Sequence, residues 1–411
     1  MKKSPVTISL ILSVMLIFCC IGGCSFSKSE GITISGKSTI TIAARDGSHT
    51  DVINAVKADF EAENNCTVNV VSLSADDIRS TSIEDSKNSN GIYDIIMIDD
   101  PLMPEYVEKK IIRNLTQLGY QDDDDFVEKS KLLGKDPYPL GATYAIPFSG
   151  NVQLIFYNPD NINGEELGNW YDILSQCKNA NERGVKGYAI RGQAGNPIVS
   201  DFLPIMWAFG GDIFDDSGNV ILDSKESRDA LEFYCELYKT GSNYEKDDLI
   251  KAVSEGDASI ALGWPSWFIT GDGPCASSAP VPGKRDGTAK VLATGEIGNW
   301  LLGITSNSSN PELALKLAEY LTSPDVQRQA IKYGGVPTRK SIFRDQKILD
   351  QYPYFAQINA GTNNSRVRPR TILWSEIEDV FGAELVKCIN EEQSVDATIT
   401  GASAAITSLT R

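Results

Sequence analysis

The most constraining stretch of the chain is Tyr93-Asp-Ile-Ile-Met-Ile-Asp99, in which Ile95, Ile96, Met97 and Ile98 follow one another without a polar break. A strand that is apolar on both faces must be covered on both faces, as happens inside a parallel sheet flanked by helices. The segments before it fit that setting. Residues 38–44 read as a strand, and residues 51–63 as a helix with Val52, Ala55, Val56 and Phe60 on one face. Residues 66–73 read as a second strand, and Ser48 with Asp51 fits a capping box at the helix start. Alternation of this kind predicts α/β architecture.

Later segments repeat the pattern. Asn310-Pro311-Glu312 supplies a cap residue, a proline at the first helical position and an acid in the first turn; Leu313, Ala314, Leu317, Ala318 and Leu321 then form an apolar stripe. Ser323-Pro324-Asp325 starts another helix, which Gly334-Gly335 ends. Ile377, Val380, Phe381, Leu385 and Cys388 recur at helical spacing, and residues 394–409 read as a last helix. A chain of 411 residues has room for about two or three domains at roughly 100–200 residues each.

The N-terminus follows a different logic. Lys2 and Lys3 precede an apolar run over residues 6–21, which ends in Ile21-Gly22-Gly23-Cys24. The run is too short and too quickly closed by small residues for a comfortable spanning helix, so residues 1–23 are expected to be a secretory leader. Small residues before a cysteine are similar to a bacterial lipobox, which implies cleavage before Cys24 and acylation of its sulfur; a plain signal peptide or an uncleaved anchor are the alternatives. Residues 24–37, rich in Ser, Lys and Gly, read as a flexible tether.

Charge and cysteines remove several functions. With 38 Lys+Arg against 55 Asp+Glu the net charge is −17, the wrong sign for a protein whose main work is to bind nucleic acid. Beyond Cys24 there remain Cys66, Cys177, Cys235, Cys275 and Cys388, an odd number without a CxxC spacing. Zinc and redox motifs are therefore unsupported, and no disulfide pairing is assigned. Asp122 to Asp125 lack the spaced ligands of a calcium loop, and Gly271-Asp-Gly273-Pro-Cys-Ala276 contains a proline foreign to a dinucleotide-binding turn. Asp215-Asp216-Ser217-Gly218 reads as a hairpin turn. The single histidine, His49, has no clustered metal partner, and no GxSxG elbow is present for a triad. No cofactor or metal is expected.

The order of five segments resembles the family 1 extracellular solute-binding proteins, the sugar-capturing subunits of ABC importers related to maltose-binding protein. They are Tyr93 to Pro101, Tyr144-Ala-Ile-Pro-Phe-Ser-Gly-Asn-Val-Gln-Leu-Ile-Phe-Tyr157, Trp207-Ala-Phe-Gly-Gly-Asp-Ile-Phe214, Gly263-Trp-Pro-Ser-Trp267 and Asn299-Trp-Leu-Leu-Gly-Ile-Thr305. The resemblance runs from about residue 38 to the end. It implies a two-lobe periplasmic-binding-protein-like (type II) fold with three hinge crossings, near residues 148–153, 300–304 and 337–341. The lobes would then be residues 38–150 plus 304–338 and residues 151–303 plus 339–411. It also implies a carbohydrate ligand and an ABC permease as partner; together with the lipobox-like end at Cys24 the expectation is a monomer held by a lipid anchor on the extracytoplasmic face of a cell membrane, with a Gram-positive surface preferred because a binder without a tether would diffuse away.

The candidate ligand-binding residues combine that resemblance with the rule that an open α/β sheet places its crevice at strand ends. Arg45 and Asp46 follow the first strand, and Asp99 and Asp100 end the apolar one; loop charges and helix caps are the plainer roles for all four. Trp264, Trp267 and Trp300 lie in segments that approach the cleft in the family, and indoles suit the apolar faces of sugars. Trp207, Gly211 and Asp212 are candidates against core packing and turn formation. Trp374 either faces the cleft or opens the next helix. Asn151 and Gln153 offer amides to hydroxyls, or satisfy the hinge backbone. No residue is assigned a catalytic role. A surface glycosidase with two carboxylates and a ligand-presenting sensor accessory are the alternatives. The acidic body predicts that anionic ligands are disfavoured, unless the cleft has a field of its own.

Overall fold

Ile95–Asp99 is a strand, and its four apolar residues are sealed from solvent. The computed structural model in which it lies describes residues 37–283 and 295–411; the expected leader, Cys24 and residues 25–36 of the tether fall outside them. The strands of the two main sheets are β1 (Ser38–Arg45), β2 (Cys66–Leu73), β3 (Ile95–Asp99), β4 (Ala145–Ser149), β5 (Leu154–Tyr157), β6 (Lys186–Ile190), β7 (Ser242–Asn243), β8 (Ala258–Gly263), β9 (Ser277–Pro280) and β10 (Trp300–Ile304). The first sheet has the order β2-β1-β3-β10-β4 and the second β9-β5-β8-β6-β7.

Both sheets are mixed. β1 is parallel to β2 and β3, whereas β10 runs antiparallel to β3 and β4. In the second sheet β6 is parallel to β7 and β8, and β5 is antiparallel to β8 and β9. The apolar run of β3 is explained by cover on both faces: Ile95 and Met97 join one hydrophobic cluster, Ile96 and Ile98 another.

The longer helices are α1 (Ser48–Asn64), α2 (Ala75–Asp85), α3 (Trp170–Glu182), α4 (Asn196–Phe209), α5 (Lys225–Tyr238), α6 (Lys246–Glu255), α7 (Pro311–Leu321), α8 (Pro324–Ala330), α9 (Phe355–Asn364), α10 (Trp374–Ile389) and α11 (Val395–Leu409). α7 begins behind Asn310 as expected, but the Asn310 side chain makes no capping bond, and the helix buries Ala314, Leu315, Leu317, Ala318 and Leu321, with Leu315 sealed where Leu313 was expected and Leu313 only half-buried; burying each leucine stabilises the fold by about 1.5–3 kcal/mol. α1 departs from expectation. It begins at Ser48 behind Gly47, whose φ of 78° suits only glycine, and no side chain caps it. Ser48 is inside the helix, so the expected capping box does not form. Among the described residues no helix is long and apolar enough to cross a membrane.

One core lies around the first sheet, with Ile40, Phe60, Met97, Leu302 and Leu317. Another joins the second sheet to α4, α10 and α11, with Tyr188, Phe202, Trp374 and Phe381. The chain leaves the first sheet through residues 150–153 and enters it again through residues 295–299. Those two segments run side by side: Gln153 N–H donates to the Glu296 carbonyl at 2.8 Å and Gly298 N–H to the Asn151 carbonyl at 3.0 Å. A third passage follows α8, where Ala330 packs in the first core while Val336 and Ile342 pack with Val152 and Phe156. Gly150 N–H donates to the Val336 carbonyl at 3.0 Å and ties it to the first.

The expected second crossing is misplaced in sequence. Trp300–Ile304 is a strand of the first sheet, with Leu301 opposite Ile98 and Pro147, so the chain has crossed before Trp300. Residues 300–303 therefore belong to the first sheet and not to the second.

Candidate functional site

Parallel strands that end side by side place the loops after them at one rim. β1 ends at Arg45 and β3 at Asp99 in the first sheet; β6 ends just before Arg191 and β8 just before Trp264 in the second. These four ends meet in a cleft of about 260 Å³, which is also lined by Asp46, His49, Asn151, Lys246, Asp247, Trp267, Trp300 and Arg368. That volume lies just below the roughly 300–1,000 Å³ common for small-molecule sites.

The indoles come from both sheets. Trp300 opens β10 opposite Asp99, half-buried, with His49 at 5.8 Å between ring centroids and the Arg45 guanidinium 5.9 Å away. Trp264 and Trp267 meet edge to face at 6.5 Å on the short helical turn after β8. Trp264 is only 9 % exposed because its ring lies against Gly298, where a Cβ would stand 2.4 Å from a ring carbon. Trp267 is more open, and the Arg191 guanidinium lies over it at 4.8 Å.

Of the polar candidates, Arg45 and Asp46 form an ion pair with each other. Asp99 binds Arg368 at 2.6 Å and 3.3 Å. Asn151 reaches the cleft wall, but its amide donates to Ser266 Oγ at 2.8 Å and accepts from Ser266 N–H at 3.2 Å.

Six candidates lie elsewhere. Asp100, one residue past the strand, is fully buried and accepts from the Asn299 N–H at 2.9 Å, so it braces the hinge. Gln153 also serves the hinge: its Nε2 donates to the Ser200 carbonyl at 2.7 Å and its Oε1 accepts from the Glu296 N–H at 3.1 Å. Trp207 and Asp212 line a separate groove, where Trp207 Nε1 donates to Asp212 and Arg366 covers the indole at 4.7 Å. Gly211 has a packing role, because a Cβ there would meet Ser227 Oγ at 2.7 Å. Trp374 is 1 % exposed and fills the core beneath α10.

The sequence reading missed His49, Arg191, Asn196, Lys246, Asp247 and Arg368 on the cleft wall. His49 is buried with its Nε2 lacking a hydrogen-bond partner; burial, together with the cations Arg45 and Lys246, pushes it down to about 3, so it is neutral. Arg191 was findable, since residues 186–190 precede it as β6 and the strand-end rule applies there as it does to Arg45. Among the described residues no group of three or more His, Cys, Asp or Glu side chains is arranged to hold a metal ion.

Two mixed α/β lobes joined by adjoining crossing segments, with side chains from both on one cleft, define a two-lobe periplasmic-binding-protein-like fold. The chain belongs to the bacterial extracellular solute-binding protein family, whose profile matches residues 46–328. A probable ABC transporter-binding protein of Deinococcus radiodurans is 22% identical over 279 residues, covering 62% of this chain and 66% of the relative. The arabinooligosaccharide-binding protein of Halalkalibacterium halodurans is 26% identical over 165 residues, 36% of this chain and 34% of its own. The chain thus spans no more than about two thirds of either relative. Among solved structures, maltose-bound MalE3 of T. maritima superposes with a TM-score of 0.80 at 23% identity, over 90% of this chain and 100% of that one.

Proposed function

We propose that this chain is a surface lipoprotein that captures a sugar or oligosaccharide between its lobes and delivers it to an ABC importer. The observation that carries the reading is the meeting of Trp264, Trp267 and Trp300, drawn from both sheets, on one polar cleft. Indole faces suit the C–H surfaces of sugar rings, and fixed polar groups around them suit the hydroxyls. Family membership and the sugar-binding relatives named above support the same reading.

In this proposal the lobes are residues 38–150 with 300–338 and residues 151–299 with 339–411. Ligand contacts to both favour a closed form, and only the difference in affinity between closed and open forms drives the change. The protein acts as a monomer and does not alter its ligand. Residues 1–23 are removed and Cys24 carries acyl chains; two or three chains give stable anchoring where one is marginal.

A thermal-shift screen of the full chain against a carbohydrate panel tests the reading, since a cognate ligand raises the melting temperature by mass action. A shift confined to saccharides is the expected result. A panel without any shift overturns the carbohydrate reading, and release of reducing ends during long incubation overturns the non-catalytic one.

A further inference from the structure

The charges on the cleft wall pair off with one exception. Asp46 is held by Arg45, Asp99 by Arg368, and Asp247 lies 3.3 Å from Lys246. Arg191, the fourth cation of the wall, has no ion pair and no hydrogen-bond acceptor for its guanidinium among the described residues; the guanidinium lies over the face of Trp267. A cation in that position is oriented by the indole and left with its donors free.

The acids whose charge reaches it form no ion pair with it among the described residues. Asp201 is buried and engaged by the hydroxyls of Tyr234 at 2.8 Å and Tyr188 at 3.3 Å. Burial pushes that carboxyl up to about 7, and burial pushes Glu296, which accepts from Ser200 Oγ at 2.8 Å, up to about 8. Glu245 is exposed at the rim. Arg45, across the cleft, adds a second positive field. Burial pulls Arg191 down to about 10, which leaves it cationic at neutral pH.

We propose that the ligand is an acidic saccharide, a uronic acid or an oligosaccharide containing one, whose carboxylate is clamped by Arg191 while its ring lies among the indoles. The planar fork of a guanidinium matches a carboxylate and binds it in two parallel hydrogen bonds. One unpaired cation matches one negative charge. A phosphate monoester, with a charge of about −1.5 to −2 at neutral pH, would exceed it and meet Asp46, Asp99 and Asp247 as well. The cleft therefore offers one unpaired cation within an acidic body, and the expectation that anionic ligands are disfavoured does not extend to it.

This inference rests on the carbohydrate reading, and the test separates the two. Calorimetric titration of the full chain would compare galacturonate with galactose, glucuronate with glucose, and the corresponding dimers. The uronates should bind roughly tenfold tighter or better, as expected of charge-assisted hydrogen bonds, with affinity falling as salt rises. Arg191→Gln should bring the uronate-to-hexose ratio close to one, and Arg191→Lys should retain part of it; thermal melting of each variant checks that it folds. Tighter binding of the neutral hexoses, or a ratio unmoved in Arg191→Gln, overturns the acidic-saccharide inference and leaves the carbohydrate reading standing. Tighter binding of a sugar phosphate than of the uronate overturns the assignment to a carboxylate. Binding of a ring-free carboxylic acid in preference to every saccharide overturns the carbohydrate reading itself, and the inference with it.

Discussion

Arg368 donates from Nη2 to Asp99 Oδ1 at 2.6 Å and from Nη1 to Asp99 Oδ2 at 3.3 Å, fastening the end of β3 to the segment that leads into α10. Its guanidinium is 2 % exposed and also faces the buried carboxyl groups of Asp100 and Glu296. A buried pair of this kind adds little net stability as a whole, but removing one side strands the other. Arg368→Met should therefore cost about 3–5 kcal/mol, read from urea unfolding. A loss below about 1 kcal/mol would show that the carboxylates find other partners.

Trp300 belongs to the cleft because β10 starts opposite the end of β3, where Trp300 pairs with Asp99. Trp300→Ala should weaken saccharide binding by more than about 1 kcal/mol, the value of a buried aromatic contact. Affinity unchanged by calorimetry would reject Trp300 as a stacking surface.

Trp374 provides the opposite case. It is 1 % exposed in a core shared with Phe381, Phe202 and Leu385. Trp374→Ala should cost about 3–5 kcal/mol of folding stability, with ligand affinity unaltered in the fraction that remains folded. A selective loss of binding with normal unfolding would return this residue to the ligand site.

The contrast between these tryptophans marks how far the sequence could be read. Residue order alone placed Arg45 and Asp99 at the cleft, because a strand ends where its apolar run gives way to charge. It also found Trp264, Trp267 and Trp300 through the family resemblance. The same reasoning failed for Asp100, because one step past a strand end the chain turns inward to the hinge. Trp374 and Trp207 lie at helix positions whose direction depends on what the helix packs against, and that is decided by residues far away in sequence. Arg191 was overlooked because Lys186 and Gly187 dilute the apolar signal of β6. The net charge of the chain averages over the whole surface and carries no information on the sign of one cleft.

Asp201 makes stability depend on pH in a definite direction. Burial raises its carboxyl to about 7, above the ordinary aspartate value. Below that ordinary value both folded and unfolded chains hold the proton, and there is no penalty. As pH rises towards 7 the unfolded chain releases it while the folded chain retains it, so folding becomes progressively less favourable; above 7 the penalty is constant. A displacement of that size corresponds to at most about 4 kcal/mol. Glu296 and Glu378, raised by burial to about 8 and about 7, act in the same sense. Unfolding free energy should fall between about pH 5 and pH 8. Asp201→Asn, which keeps an acceptor for Tyr188 and Tyr234, should make that decline shallower; an identical slope in the variant rules Asp201 out as its source.

Cys235 on α5 and Cys388 on α10 bring their Sγ atoms to 3.7 Å. Their mutual contact lowers Cys388 to about 7 and raises Cys235, so Cys388 supplies the thiolate. Oxidised glutathione should form a mixed disulfide at Cys388, which the Cys235 sulfur then displaces, closing the internal bond as two glutathione molecules leave reduced. The sulfurs need to approach from 3.7 Å to about 2.05 Å. Closing a loop of 153 residues has an entropic ceiling of about 5 kcal/mol, so the melting temperature should rise on oxidation and return on reduction. Peptide mapping without reductant should recover the Cys235 and Cys388 peptides joined. Cys177, whose thiol burial pushes up to about 12, should remain free. Glutathione retained on Cys388 with Cys235 unmodified would show that the helices hold the sulfurs apart.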